Sequence, residues 1–243
     1  MIRTPLRAAS FVVAAGVSRA VYQGLRRRPG GVRWTRTNHA GRSVDLYAGP
    51  AVALGAAAGA GSGPVAFAVL AAGACGAYDD VNGDHRRGFR AHLAALRDGE
   101  VTSGAVKLLG IGAASLVAGA LLKERAVDKV LAGVVIAGTA HLVNLVDVRP
   151  GRAGLTVLAL SAPGLVRGPL AAAPMGAAAA VLGDDLGERT MLGDMGAHAL
   201  GAAVGSAVVA GNGRLGLAAH AVGLIAAAAW GEREASSRAH PSE

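Results

Sequence analysis

The chain has 243 residues, 52% of them hydrophobic, 16% charged and 3% aromatic, with 37 glycines. Soluble domains carry about 25% charged residues, so this composition excludes an ordinary soluble enzyme and points to an integral membrane protein. The formal charge is +8, but the basic residues lie between apolar runs with few aromatics to stack bases, which argues for basic loops beside a membrane and for no nucleic-acid partner.

In chain order, nine apolar segments are predicted, over residues 5–24, 46–60, 63–78, 101–122, 127–145, 153–166, 169–183, 191–210 and 214–230. The expected fold is therefore all-α, a polytopic membrane helix bundle of about nine transmembrane helices. It forms one domain over 1–230, followed by a polar cytoplasmic tail over 231–243. Several segments fall short of the ~20 residues that a spanning helix needs. Abundant Ala and Gly permit close helix approach, which lets short helices sit in a tight bundle. Arg19 interrupts the first segment, which favours a retained helix over a cleaved signal peptide. Cys75 is the only cysteine, so an intrachain disulfide and a cysteine metal site are excluded.

With nine spans the loops alternate between two sides. One side, holding the loops near 25–45, 79–100, 146–152 and 184–190 and the C-terminus, carries 15 Lys and Arg; the other carries 7. The positive-inside rule places the richer side in the cytoplasm. Fourteen of the 16 acidic residues fall on that side, and only Glu124 and Asp128 lie opposite. Carboxylates gathered at one face of a bundle suit a cation and a polyanion.

Four stretches carry polar groups that an apolar helix does not need. Asp79 and Asp80 end the third segment; they read either as a solvated helix end or as a divalent-metal site or general base, with Mg²⁺ suited to hard oxygen ligands that share its shell with substrate phosphates. Lys107 lies one or two turns into the fourth segment, placed to snorkel, to meet a phosphate or to neutralise the aspartate pair. In HLVNLVDVRPGRAG, residues 141–154, Asn144 and Asp147 share a helix face, then Pro150 and Gly151 break the helix between Arg149 and Arg152, whose forked guanidinium groups bind phosphate oxygens in pairs. Asp194 opens the eighth segment between Gly193 and Gly196; it reads as a helix cap or as a ligand where the backbone comes close. Asp184, Asp185 and Glu188 read as a solvated loop, and His141 and His198 as helix-packing histidines.

The order and shared side of these four pieces resemble the polyprenyl-phosphate N-acetylhexosamine-1-phosphate transferase superfamily, which includes the phospho-N-acetylmuramoyl-pentapeptide transferases. The resemblance implies an Mg²⁺-dependent enzyme (Mn²⁺ is the alternative) that moves a sugar-1-phosphate from a nucleotide-diphosphate sugar, with UDP-N-acetylhexosamine expected, onto a polyprenyl phosphate for cell-wall glycan synthesis such as that of peptidoglycan. It implies a cell-membrane location, lipid contact and a cytoplasmic active site, and is compatible with a homodimer. By resemblance Asp194 and Asp80 hold the metal, Asp79 or Asp80 activates the lipid phosphate, Lys107 contacts phosphate, and Asn144, Asp147 and Gly193 bind the donor; Arg149 and Arg152, which the family motif does not have, are expected to add phosphate contacts to it. Where the family's nucleotide motif has a further aspartate, this chain has Pro150. The alternative reading is a non-catalytic relative that binds polyprenyl phosphate or a cell-envelope partner.

Overall fold

The computed structural model describes residues 3–28, 31–83 and 89–239. Among them are ten α-helices: α1 (Arg3–Arg26), α2 (Ala48–Gly59), α3 (Gly63–Asn82), α4 (Phe89–Arg97), α5 (Ser103–Leu122), α6 (Ala126–Val146), α7 (Arg152–Ser161), α8 (Ala172–Leu186), α9 (Gly193–Gly211) and α10 (Arg214–Ala239). A 3-10 turn, Ala162–Val166, extends α7. Each of the nine apolar segments is a helix, so the chain is nearly all-α. Four helices are long and apolar enough to cross a membrane: α3, α5, α6 and the Arg214–Gly231 part of α10. They mark a membrane protein, but the expected nine spanning helices are not established. α2, α7 and α8 are too short, and α1 carries Arg3, Arg7, Arg19 and Arg26 along its 24 residues.

Three further departures have local causes. The stretch from 79 to 100 is not all loop, because the strongly amphipathic FRAHLAALR forms α4; residues 84–88, including Asp84, lie outside the described residues. The expected tail at 231 is still helix to Ala239, since GEREASSRA is rich in good helix formers; 240–243 lie outside the described residues. A small antiparallel hairpin pairs β1 (Thr35–Thr37) with β2 (Ser43–Asp45), in register Thr35↔Asp45 and Thr37↔Ser43. Its turn is built by Asn38, whose side-chain oxygen accepts the N–H groups of Ala40 (3.0 Å) and Arg42 (2.9 Å), and by Gly41 at φ +77°.

The core sits around α9, which is buried along most of its length and packs against α2, α3 and α6. On one flank α1, α2 and α8 pack together; on the other, α5 fills the space beside α3 and α6, and α10 leans mainly on α6. The core is mainly alanine, valine and glycine, so backbones come close and dispersion replaces large side chains. Gly201 and Gly205 of α9 face the α6 backbone at Ala140 and Ile136, where a Cβ would stand less than 3.0 Å from main-chain atoms.

These packings gather one end of the bundle. The hairpin, the C-terminal ends of α3, α6 and α8 and the N-terminal ends of α5, α7 and α9 all meet there. Asp45 joins the hairpin to the α8–α9 loop: its carbonyl accepts Met191 N (2.9 Å) and the Thr190 hydroxyl (3.0 Å), while its carboxylate accepts Tyr47 N (3.1 Å). At the opposite end Lys123 donates to the Asn212 carbonyl (2.9 Å) and Ser10 to that of Gly59 (2.6 Å).

Candidate functional site

At the gathered end, α3 delivers Asp79 and Asp80, α5 delivers Lys107 and α9 delivers Asp194. Thr102 starts α5 by accepting Ala105 N with its hydroxyl (3.1 Å), and Lys107 follows just over one turn later. The Lys107 ammonium donates to Asp79 Oδ2 (2.6 Å) and to Asp194 Oδ2. One cation thus bridges carboxylates that are 115 residues apart in sequence. The three side chains are mostly but not fully covered, at 17–26% exposed, so the pairs are stronger than surface ion pairs and remain reachable from solvent.

Asp80 does something different from its neighbour. Its two oxygens accept the backbone N–H groups of Asp194 (3.0 Å) and Met195 (2.9 Å), the first turn of α9. It is a helix cap supplied from another helix, and it meets the positive end of the α9 dipole. Gly193 makes room for it. At φ +62° this residue is in the left-handed region, and a Cβ would lie 3.0 Å from Asp80 Oδ2. Gly76, one turn before Asp80, sits against the Asp194 backbone with no space for a Cβ. Arg36 of β1 acts electrostatically on Asp80. His198 is buried, with Nδ1 on the Asp194 carbonyl (2.7 Å), as a helix-packing histidine should be.

α6 ends at Asp147, which leaves helical geometry at ψ 53°, and Gly151 at φ +76° turns the chain into α7. Asp147 and Arg149 line a cavity of about 50 Å³ together with Asn38, His39, Asp185 and Met191. Asp185 accepts the Gly151 N–H (2.9 Å) and so holds that turn in place. Of the predicted donor-binding residues, Asp147, Arg149 and Gly193 stand at this end beside the cluster. Asn144 is half-buried one turn inside α6; Arg152 is exposed at the start of α7 and does not line the cavity.

Burial, together with the charges of Asp185, Asp194 and Asp80, pushes the Asp147 carboxyl up to about 8. Burial raises Asp185 as well, against the pull of the Gly151 N–H. An unfolded aspartate loses its proton near pH 4, whereas folded Asp147 keeps it until about 8, so between those values the folded state binds more protons and stability falls as pH rises. The melting temperature in detergent should drop from pH 5 to pH 7, by up to about 3 kcal/mol of stability for a shift across two pH units. Asp147→Asn should make that slope shallower, with the raised Asp185 carboxyl still contributing in the same direction; a wild-type profile that rises with pH would contradict it.

The sequence reading missed Asp184 and Asp185, which are buried in the last turn of α8 rather than in a solvated loop. Burial would raise the Asp184 carboxyl, but hydrogen bonds from Arg189 (2.8 Å) and Arg19 (2.5 Å) hold it below the usual range. Arg19 and Arg26 also flank the Tyr22 ring, each 5.6 Å from its centre. The signal was Arg19 itself: an arginine inside an apolar helix needs a carboxylate partner. Asn38 and Arg42 of the hairpin meet Glu188 at 2.7 and 3.5 Å, and nothing in the linear pattern announced that contact.

Among the described residues no three His, Cys, Asp or Glu side chains converge as a ready-made metal cage. Mg²⁺ commonly takes one or two protein carboxylates and completes its shell with substrate phosphates and water. Asp79 and Asp194, already drawn to one cation, fit that donor set. No protein-family model matches the chain, and no curated protein shows significant similarity to it.

Proposed function

We propose that the chain is a divalent-metal-dependent phosphoglycosyl transferase, moving a sugar-1-phosphate from a nucleotide-diphosphate sugar to a polyprenyl phosphate. The observation that carries this reading is Lys107 bridging Asp79 and Asp194, one helix turn from a helix N-terminus, in a membrane protein whose carboxylates gather at one end. Two polyanions must meet in this reaction, and their repulsion is the main obstacle. On this reading an oxygen of the lipid phosphate attacks the β-phosphorus of the donor, the bond to the α-phosphate oxygen breaks, and a nucleoside monophosphate leaves.

The roles follow from position. Asp194 and Asp79 would hold Mg²⁺ or Mn²⁺, which when bound would draw charge from the diphosphate oxygens. Asp80, assigned to the metal on sequence grounds, has both oxygens engaged by α9 N–H groups, so its role here is to fix Asp194. Lys107 would exchange a carboxylate for a phosphate oxygen as substrate enters. Asp147, protonated at neutral pH, is able to donate a hydrogen bond to the donor, and Arg149 would bind its phosphate side. The reading takes this end to face the cytoplasm of a cell-membrane protein, the side that the basic-residue count over nine spans favours, with a cell-envelope glycan such as peptidoglycan as product and a UDP-N-acetylhexosamine as donor.

The cavity beside Asp147 favours a second reading. Its ~50 Å³ holds a water or two, while ligand pockets usually run to several hundred cubic ångströms. Either the hairpin, held by Glu188, swings away to admit a donor, or the chain is a non-catalytic relative that binds lipid phosphate alone. Purified protein incubated with Mg²⁺, a polyprenyl phosphate and a panel of nucleotide sugars separates them. Nucleoside monophosphate release that needs lipid and metal and is lost in Asp194→Asn is the expected result. No release from folded protein that still binds lipid would select the non-catalytic reading.

A further inference from the structure

At the end of the bundle away from the aspartate cluster, the 3-10 turn after α7, the last turns of α9 and the first turns of α10 enclose a cavity of about 280 Å³. A second lobe of about 150 Å³ adjoins it and shares Gly164, Arg167, Ala171 and Ala207. The walls are mostly apolar, with Leu160, Val204 and Val208 among them. Val166 and Leu215, close in sequence to the wall residues Arg167 and Asn212, are 75% and 88% exposed. This is a setting for hydrocarbon.

Polar groups are placed within it. Ser161 is 2% exposed and lines the larger lobe, and its hydroxyl has no hydrogen-bond partner among the described residues. A buried hydroxyl without a partner is a cost that a ligand oxygen would remove. Arg167 lines both lobes. Its Nη1 donates to the Gly211 carbonyl and to Asn212 Oδ1, both at 2.7 Å, which leaves Nε and Nη2 to bind an oxyanion in the forked manner of guanidinium groups. His220 has Nδ1 on the Gly216 carbonyl (2.7 Å), leaving Nε2.

The charge at this end is unbalanced. Arg167 and Lys123 donate to carbonyl and amide oxygens, and Arg7 reaches the Val166 carbonyl at 3.4 Å. The carboxylates here among the described residues are Glu124, exposed, and Asp128, which Arg214 already binds at 2.7 Å. We infer that this cleft is a binding site for an anionic phospholipid, with a phosphate oxygen on Arg167 and the Ser161 hydroxyl and an acyl chain along Leu160, Val204 and Val208. The site stands apart from the transferase reading: a chain without turnover would still bind this lipid.

Native mass spectrometry of the detergent-solubilised full chain tests it, with titrations of phosphatidylglycerol, of phosphatidylcholine and of inorganic phosphate. Phosphatidylglycerol should bind about tenfold more tightly than phosphatidylcholine, whose phosphate is the same but whose choline cation is repelled by the excess positive charge of Arg167 and Lys123. Arg167→Gln should erase the preference, and Ser161→Ala should weaken binding about threefold. Because Arg167 also ties α9 to the 3-10 turn, Ala207→Leu provides a second variant: it narrows both lobes without removing a polar contact and should reduce lipid retention. Equal binding of the two lipids, or unchanged retention in Ser161→Ala and Ala207→Leu, would overturn the proposal. Saturation by inorganic phosphate that competes with the lipid would also overturn it, by showing a site for free phosphate.

Discussion

Asp80→Ala should lower the melting temperature by about 10 °C and abolish turnover, whereas Asp79→Asn should abolish turnover and leave the melting temperature within a few degrees of wild type. The two residues are adjacent but work differently. Asp80 accepts two N–H groups at the start of α9. Each hydrogen bond to a charged group contributes about 1.5–3 kcal/mol, and in alanine both donors stay buried without an acceptor. In a chain of this size each kcal/mol moves the midpoint by about 2–4 °C. Asp80→Asn should fall between, since an amide oxygen replaces one acceptor while its NH₂ faces the other N–H. Asp79 bonds Lys107 and, through it, Asp194; its amide keeps the shape but lacks the charge that on our reading draws in a metal. Thermal scans in detergent beside the nucleotide-release assay measure both. Equal destabilisation by Asp79→Asn and Asp80→Ala would show that the pair acts as one structural unit.

Much of this joint was legible in the sequence because helix ends and glycines are local signals. The aspartate pair closing α3, the lysine early in α5, the Pro150–Gly151 break and the glycines around Asp194 lie where the chain reading placed them, and the fold brings them to one end. What was not legible depended on partners far along the chain. Asp184 and Asp185 look like loop residues until Arg19, 165 positions earlier, and the Gly151 N–H are set beside them. Apolar runs revealed every large helix, but an alanine-rich run has the same hydropathy whether it faces lipid or a neighbouring backbone. α9 is the clearest case: its apolar length lies inside the protein, surrounded by α2, α3 and α6. The hairpin is held by Asn38–Glu188 and Asp45–Thr190 contacts across about 150 residues, beyond the reach of periodicity.

Gly76→Val should disable the site as completely as removing one of its carboxylates, without touching a charge. Gly76 lies where α3 crosses the first turn of α9, and a Cβ there would overlap the Asp194 carbonyl and press on Met195 N at 2.7 Å. Those atoms are backbone, so no rotamer change relieves the clash, and α9 must move away from α3. Overpacking of this kind costs about 1–3 kcal/mol, which a bundle with this much helix contact should survive. The site is less tolerant. A shift of about 1 Å is enough to lose two orders of magnitude in rate when positioning is the main catalytic device. It would lengthen both hydrogen bonds from α9 to Asp80 and separate Asp194 from Lys107, which is held on α5. The expected result is a folded protein with a modestly lower melting temperature and at least a hundredfold loss of nucleotide release. Gly73→Ala, one turn earlier on the same face, provides the control: its Cβ would meet Ala199 and Ala53 at an ordinary 3.4 Å, and activity should stay near wild type. If Gly76→Val kept full activity, the close α3–α9 crossing would not be what positions Asp194.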